Sequence, residues 1–389
     1  MTEDAERFSR NHPALAPYYP VYASEFFDMK DRFSPLPMME SIRAGLADTR
    51  FVDRNGERLR LECFLSLRKE LNAYAARHDD QHFIGITYNK VLYSFIVCQE
   101  AFFLQLVFDE LKDDVDEKEA ARRELDILYR LRKAQTIDSL AVAFEEHVAA
   151  GSVAPLWELF DPVHHARRRA AWYVAQAIIE LSLLHEMTHV LNGHCGYLRE
   201  RLGAGKSQLV CLNETDAAAN GLDAETLRWL EHEADFYAAS FMTHDVIAGR
   251  DARRLGVSGF DIRTRVALIT FAVCILSAIW TKDHTAEPGS GRHPHPLTRA
   301  LTYLHGIELA LLHHGDEPMR KGFTQGLTNV FVLGNYIPQM RKLGELVDMG
   351  SHWRERDAYQ DPASPLKAAV ERHAYMPEVA GTWPPAVAV

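Results

Sequence analysis

A chain of 389 residues, 47% hydrophobic and 25% charged, has the composition of a folded globular protein and the length of about two or three domains, which excludes a disordered or membrane-filling chain. Its net charge of −11 excludes nucleic acid as the main partner, because no basic excess exists to neutralise phosphates. The five cysteines form an odd set without a Cys-x-x-Cys pair, which suits small core residues in a reducing compartment and argues against a thiolate metal cage.

The first residues, MTEDAERFSRNHPALAPYYP, place acids and prolines where a secretory signal carries a cationic start and an apolar core, so a cytoplasmic protein is expected. Residues 11–40 are rich in Pro, Tyr and Phe without helical period, and 1–45 reads as an extended N-terminal arm. An α+β region is expected over 46–160. Asn55-Gly56 between strand-forming residues predicts a hairpin near 50–66, and HFIGITYN (82–89) predicts a further strand before an apolar helix over 91–108. From residue 116 the pattern is helical, over 116–134, 137–149, 166–195, 224–247, 262–282, 296–314 and 317–331, with breaks at GVSGF and AEPGSGRHPHP. Residues 161–315 form the expected catalytic region, and 316–389 a C-terminal helical region whose tail, MPEVAGTWPPAVAV, is expected to fray. The fold class that follows is mainly α (α+β), a helical body with a small N-terminal β element. The strongest membrane candidate, VALITFAVCILSAIW (266–280), is shorter than the roughly twenty apolar residues a span needs, so a core helix is expected and a membrane span is not.

LSLLHEMTHVLNGH (181–194) sets His185, Glu186 and His189 in apolar helical sequence. Residues four apart lie one turn apart on one helical face, so both imidazoles can address one ion while Glu186 sits beside it. Two neutral imidazoles on zinc, an open position for water and a carboxylate to take its proton make up the HExxH arrangement of metallopeptidases. The alternative is a buried helix with two hydrogen-bonded histidines. Burying two imidazoles and a carboxylate without a metal costs several kcal/mol unless each finds partners.

A hydrolytic zinc site has a third protein ligand, for which WLEHEADFYAASFM (229–242) is the best source. Glu231, Ala234 and Asp235 share one helical face, so Glu231 is assigned as ligand and Asp235 as the acceptor for a ligand imidazole N–H. His232 and Glu233 lie off that face, and Glu233 reads as a surface residue. His194, near the helix end, is assigned a structural hydrogen bond rather than a fourth ligand. The expected cofactor is one Zn2+ per chain.

HEMTHVLNGH, EHEAD and HPHPLTR, in that order along 180–305, resemble the HExxH, ExxAD and HPxxxxR segments of the HtpX and CAAX-prenyl-endopeptidase family of gluzincins. The resemblance implies a zincin-like helical catalytic core with zinc on His185, His189 and Glu231, and Glu186 as catalytic acid/base. It also implies a transition-state donor at His293, for which His295 competes because His-Pro is duplicated, and Arg299 as support for the active-site acids. Thr188 stands where that family has Gly, and clear transmembrane helices are lacking. ImmA/IrrE-type regulators and Lit-type phage-exclusion proteases are the alternatives within the gluzincins.

Two functions stay open at this point. One is a soluble zinc-dependent endopeptidase that hydrolyses a protein or peptide by a zinc-activated water with Glu186 as general base. The other is a gluzincin-like sensory or binding module with the zinc site and little or no proteolysis. HFIGITYN is the expected strand for aligning an extended substrate. Residues 196–222 would join the two metal helices as a lid or as a plain connector. No oligomeric state is assigned.

Overall fold

The computed structural model describes residues 10–11, 51–66, 71–103, 107–108, 110–111, 122, 165–205, 210–211, 223–251, 259–281, 294–334 and 365–377. These are mostly helical, with a small sheet on the N-terminal side, as the α+β reading expects. Strands β2 (Leu61–Ser66), β3 (Ala73–His78), β4 (Gln81–Thr87) and β5 (Val210–Cys211) form one sheet in the order β2-β4-β3-β5. β3 and β4 are an antiparallel hairpin that turns at Asp79-Asp80, with Asp79 at φ 52°, and β2 runs parallel to β4.

Three strand expectations need correction. The Asp53–Gly56 turn exists, with the Asp53 carboxylate accepting from Asn55 N and Glu57 N at 2.8 Å each and Gly56 at φ 78°. Across it Val52 and Arg58 form an antiparallel bridge, with Asp53 N donating to Glu57 O at 2.9 Å and Leu59 N to Phe51 O at 2.8 Å, so the hairpin is short: β1 (Phe51–Val52) also pairs antiparallel with β6 (Met376–Pro377), and β2 joins β4 instead of extending it. A two-stranded ribbon alone buries little, whereas the larger sheet buries Phe64 and Leu65 of β2 at 3% exposure each. The start of the C-terminal tail is therefore strand rather than frayed end. HFIGITYN is a strand over Gln81–Thr87, but it is hydrogen-bonded on both sides, so it offers no free edge to an extended substrate.

Helix α1 (Tyr88–Phe103) follows β4 at once, with Thr87 Oγ1 accepting from Lys90 N at 3.3 Å. Helix α2 (His165–Leu191) is buried without a break from Tyr173 to Leu191 and packs against α1, α4, α5, β3 and β4. It stops at Asn192-Gly193, where Gly193 takes φ 87°, and α3 (His194–Arg201) restarts the chain in a new direction. The expected helix over 166–195 is thus two helices. Asp223 caps α4 (Ala224–Ile247), its carboxylate accepting from Thr226 N at 2.7 Å. The remaining described helices are α5 (Ile262–Thr281), α6 (Pro296–His314), α7 (Glu317–Gly334) and α8 (Pro365–Glu371). Helices α4 and α6 approach so closely that a Cβ at Gly306 would lie 2.5 Å from the Phe236 carbonyl oxygen.

One apolar core runs from Phe51 to Tyr375. Among the described residues, Ile262–Trp280 alone is long and apolar enough to cross a membrane; 78% of its apolar window is buried, and α5 packs on α2, α6 and α7. Cys98, Cys195 and Cys274 are buried and form no disulfide, as small core residues. The expected helices at 116–134 and 137–149, and nearly all of the N-terminal arm, lie outside the described residues.

Candidate metal centre

His185 and His189 share one face of α2, and their Nε2 atoms come within 3.0 Å of each other. From α4, Glu231 turns its carboxylate onto the same point, with Oε2 3.3 Å from His185 Nε2 and Oε1 3.4 Å from His189 Nε2. All three side chains are buried, and their ligand atoms lie within 4.8 Å of one another. Two ring lone pairs and a carboxylate this close repel one another unless a cation or a shared proton stands between them. Zinc bonds of about 2.0–2.1 Å in tetrahedral array separate neighbouring ligand atoms by about 3.3 Å. The observed spacings match, so the donor set fits a metal ion.

The outward ring nitrogens are held as well. His185 Nδ1 lies 2.8 Å from Asp235 Oδ1. Arg299, from α6, donates from Nε and Nη2 to the two oxygens of the fully buried Asp235, both at 2.7 Å, and its Nη2 lies 3.5 Å from Glu231 Oε2. The guanidinium stacks on Trp280 of α5, 3.9 Å from the ring centroid. His189 Nδ1 lies 2.7 Å from His194 Nδ1, and His194 Nε2 lies 2.8 Å from Glu233 Oε2. An uninterrupted helix would set residue 194 about 140° around the axis from residue 189. The break at Gly193 returns the His194 ring to His189.

Burial pushes the Glu186 carboxyl up to about 7, against the pull of His185, Lys90 and Arg299. Burial alone would lower His185, but Asp235 and Glu231 raise it to about 9, while burial and the neighbouring His185 charge lower His189 to about 3. Although burial opposes it, Arg299 and His185 hold the Asp235 carboxyl below the usual carboxylate range. Lys90 stands in the first turn of α1, buried, with Nζ 5.7 Å from the Trp280 ring centroid; burial lowers its ammonium to about 8 against the attraction of Glu186.

The structure thus brings His185, Glu186, His189, Glu231, Asp235, Arg299 and His194 together. His295 caps α6 instead, its Nδ1 accepting from Leu297 N at 3.2 Å ahead of Pro296, and His293 lies outside the described residues. His232 stays apart from the cluster, its Nδ1 2.7 Å from Thr302 Oγ1. Glu233 corrects the sequence reading. Its side chain, 14% exposed, bonds His194 rather than facing solvent. Helical periodicity puts it off the ligand face, and only the bent path through Gly193 brings a partner to it. Lys90 and Trp280 were also missed; the one signal for Lys90 is a lone cation in the apolar run YNKVLYSFIV.

Fold and site together define a mainly helical α+β protein with a buried His–His–Glu cluster that could hold a metal ion. Residues 158–317, which contain α2, α4 and α6 and the whole cluster, match the family model Peptidase U49. This peptidase family is of the Lit type, one of the alternatives named above, and the match does not confirm the more specific HtpX resemblance. No curated protein and no solved structure matches the chain.

Proposed function

We propose that the chain is a zinc-dependent endopeptidase acting on a protein or peptide. The observation that carries this reading is the convergence of His185 Nε2, His189 Nε2 and the Glu231 carboxylate at 3.0, 3.3 and 3.4 Å, within the segment that matches Peptidase U49. A zinc ion held by these three residues would supply Lewis acidity, which lowers the pKa of water and polarises a carbonyl. Asp235, clamped by Arg299, fixes His185 with its Nε2 directed inward. Glu186 follows His185 on the same buried helix, and its carboxyl, raised to about 7, can take a proton from water at neutral pH and return it to the leaving amine. Lys90 and Arg299 stand near Glu186 and favour its ionised form.

Metal analysis of untagged protein and a peptide-library digestion test the reading together. One zinc per chain is expected in both the parent protein and Glu186→Gln, with cleavage reduced at least about 100-fold in the variant. A parent protein without zinc, or a variant with zinc and full cleavage, overturns the proposal.

A further inference from the structure

The two histidine ligands are held in different ways. His185 meets the Asp235 carboxylate directly, whereas the outer nitrogen of His189 meets a second imidazole, with a carboxylate one step further out. We propose that Glu233, acting through His194, sets the tautomer and orientation of His189 and so determines how tightly the site holds its metal. This inference rests on the metal-site reading above.

The order of donors follows from the acceptor at the far end. An ionised Glu233 can only accept, so His194 Nε2 must carry a proton and donate it across 2.8 Å. With Nε2 the donor to Glu233, Nδ1 is the ring's acceptor, and it accepts across 2.7 Å from a proton on His189 Nδ1. That leaves His189 Nε2 with its lone pair directed at His185 Nε2 and Glu231, the form a metal requires. The opposite tautomer would put an N–H where the metal must bind and set two bare Nδ1 atoms against each other.

The surroundings hold this chain in place. His194 has no exposure, and its ring centroid is 6.2 Å from that of Trp229, one turn before Glu233 on α4. On its other side the backbone of His373 and Ala374 packs against Gly193, where a Cβ would lie 2.5 Å from the His373 carbonyl carbon. Helix α4 therefore supplies three acids with three tasks: Glu231 at the ligand position, Asp235 directly behind His185, and Glu233 behind His189 at one remove.

Competition for Zn2+ with a chromogenic chelator, on the full untagged chain, measures the effect. Glu233→Met removes the acceptor and His194→Phe breaks the chain, and each should weaken zinc binding about 10–100-fold. Glu233→Gln keeps a carbonyl acceptor without the charge and should lose less than Glu233→Met. The double variant His194→Phe/Glu233→Met should lose no more than His194→Phe alone, because the two residues act as one chain. Long-range 15N spectra of the parent protein should place the His189 proton on Nδ1, and His194→Phe should mix the tautomers; packing alone would produce neither this change nor the Gln-to-Met grading. Should His194→Phe not fold, the Glu233 grading decides. Unchanged affinity in Glu233→Met, or additive losses in the double variant, overturns the relay. A parent protein that binds no zinc, or a His189→Ala variant that binds as well as the parent, overturns the metal-site reading and the relay with it.

Discussion

Arg299→Met tests the electrostatic frame of the site. Asp235 has no exposure, and its charge is balanced by two hydrogen bonds from Arg299 at 2.7 Å and by His185 at 2.8 Å. Methionine keeps an apolar stem for the Trp280 ring but removes the cation and both donors. Charge-assisted hydrogen bonds contribute about 1.5–3 kcal/mol each, and stranding one partner of a buried pair costs about 3–5 kcal/mol. The two routes give about 3–6 and about 3–5 kcal/mol, large against the marginal stability of a folded domain. Arg299→Lys, which restores the charge without the planar fork, should lose less. Urea unfolding with a chelator present measures the loss without a contribution from metal binding. Lys321→Met is the control: it breaks the exposed Lys321–Glu317 pair at 2.6 Å and should cost no more than about 1 kcal/mol. If Arg299→Met also costs less than about 1 kcal/mol, Asp235 is balanced by something other than the guanidinium and the frame is wrong.

Two further predictions concern the C-terminal segment that closes over the end of α2. His82 on β4 lies with Nε2 3.1 Å from Tyr375 Oη, and burial, with Arg77 and Arg199 nearby, lowers its pKa from 6.5 to about 3. The unfolded chain takes a proton below pH 6.5 that the folded chain refuses, so the stabilising effect of a neutral His82 is complete above pH 6.5 and is lost as pH falls towards 3. At about 1.4 kcal/mol per pH unit, the stability difference between parent and His82→Gln should shift by about 2 kcal/mol between pH 7 and pH 5, with the parent losing more; parallel pH curves would show that His82 does not titrate this way. Gly193→Ala forces a side chain onto backbone at φ 87° and into the carbonyl of His373. It should cost at least about 1–2 kcal/mol in thermal unfolding and weaken zinc binding through His194, and a variant with parental values for both would remove the turn from the account.

What could be read from the sequence was what local spacing encodes. Asp223 before an apolar-periodic run, and Pro296 at a helix start, mark α4 and α6, whose bounds coincide with the expected 224–247 and 296–314. The i,i+4 pair His185 and His189, and the pair Glu231 and Asp235, each lie on a single uninterrupted helix, so helical geometry alone aligned them. The failures all involve partners distant in sequence. β1 also pairs with β6 more than three hundred residues later and β2 with β4, so the hairpin at Asn55-Gly56 spans only Phe51–Leu59 instead of running to residue 66. Glu233 was placed by the periodicity of its own helix, while its partner depends on where another helix bends.

The same distant contacts decide the charge of the site. When ionised, Glu186, Glu231, Glu233 and Asp235 bring four carboxylates into or beside the cluster, against the permanent cation Arg299 and the ammonium of Lys90, which burial lowers to about 8. With both ligand histidines neutral, two negative charges remain, and a divalent cation cancels them. The crowding of carboxylates shows in the titrating groups: against burial, Asp235 and Glu231 raise His185 to about 9, and burial together with Glu231 raises Glu186 to about 7. A metal ion at His185 Nε2 would displace a proton there and, by its charge, favour the ionised form of Glu186, whose rise is due first to burial. In the mechanism proposed above, a filled site would make Glu186 easier to ionise against the burial that raises it, which would couple the state of this base to occupancy of the centre.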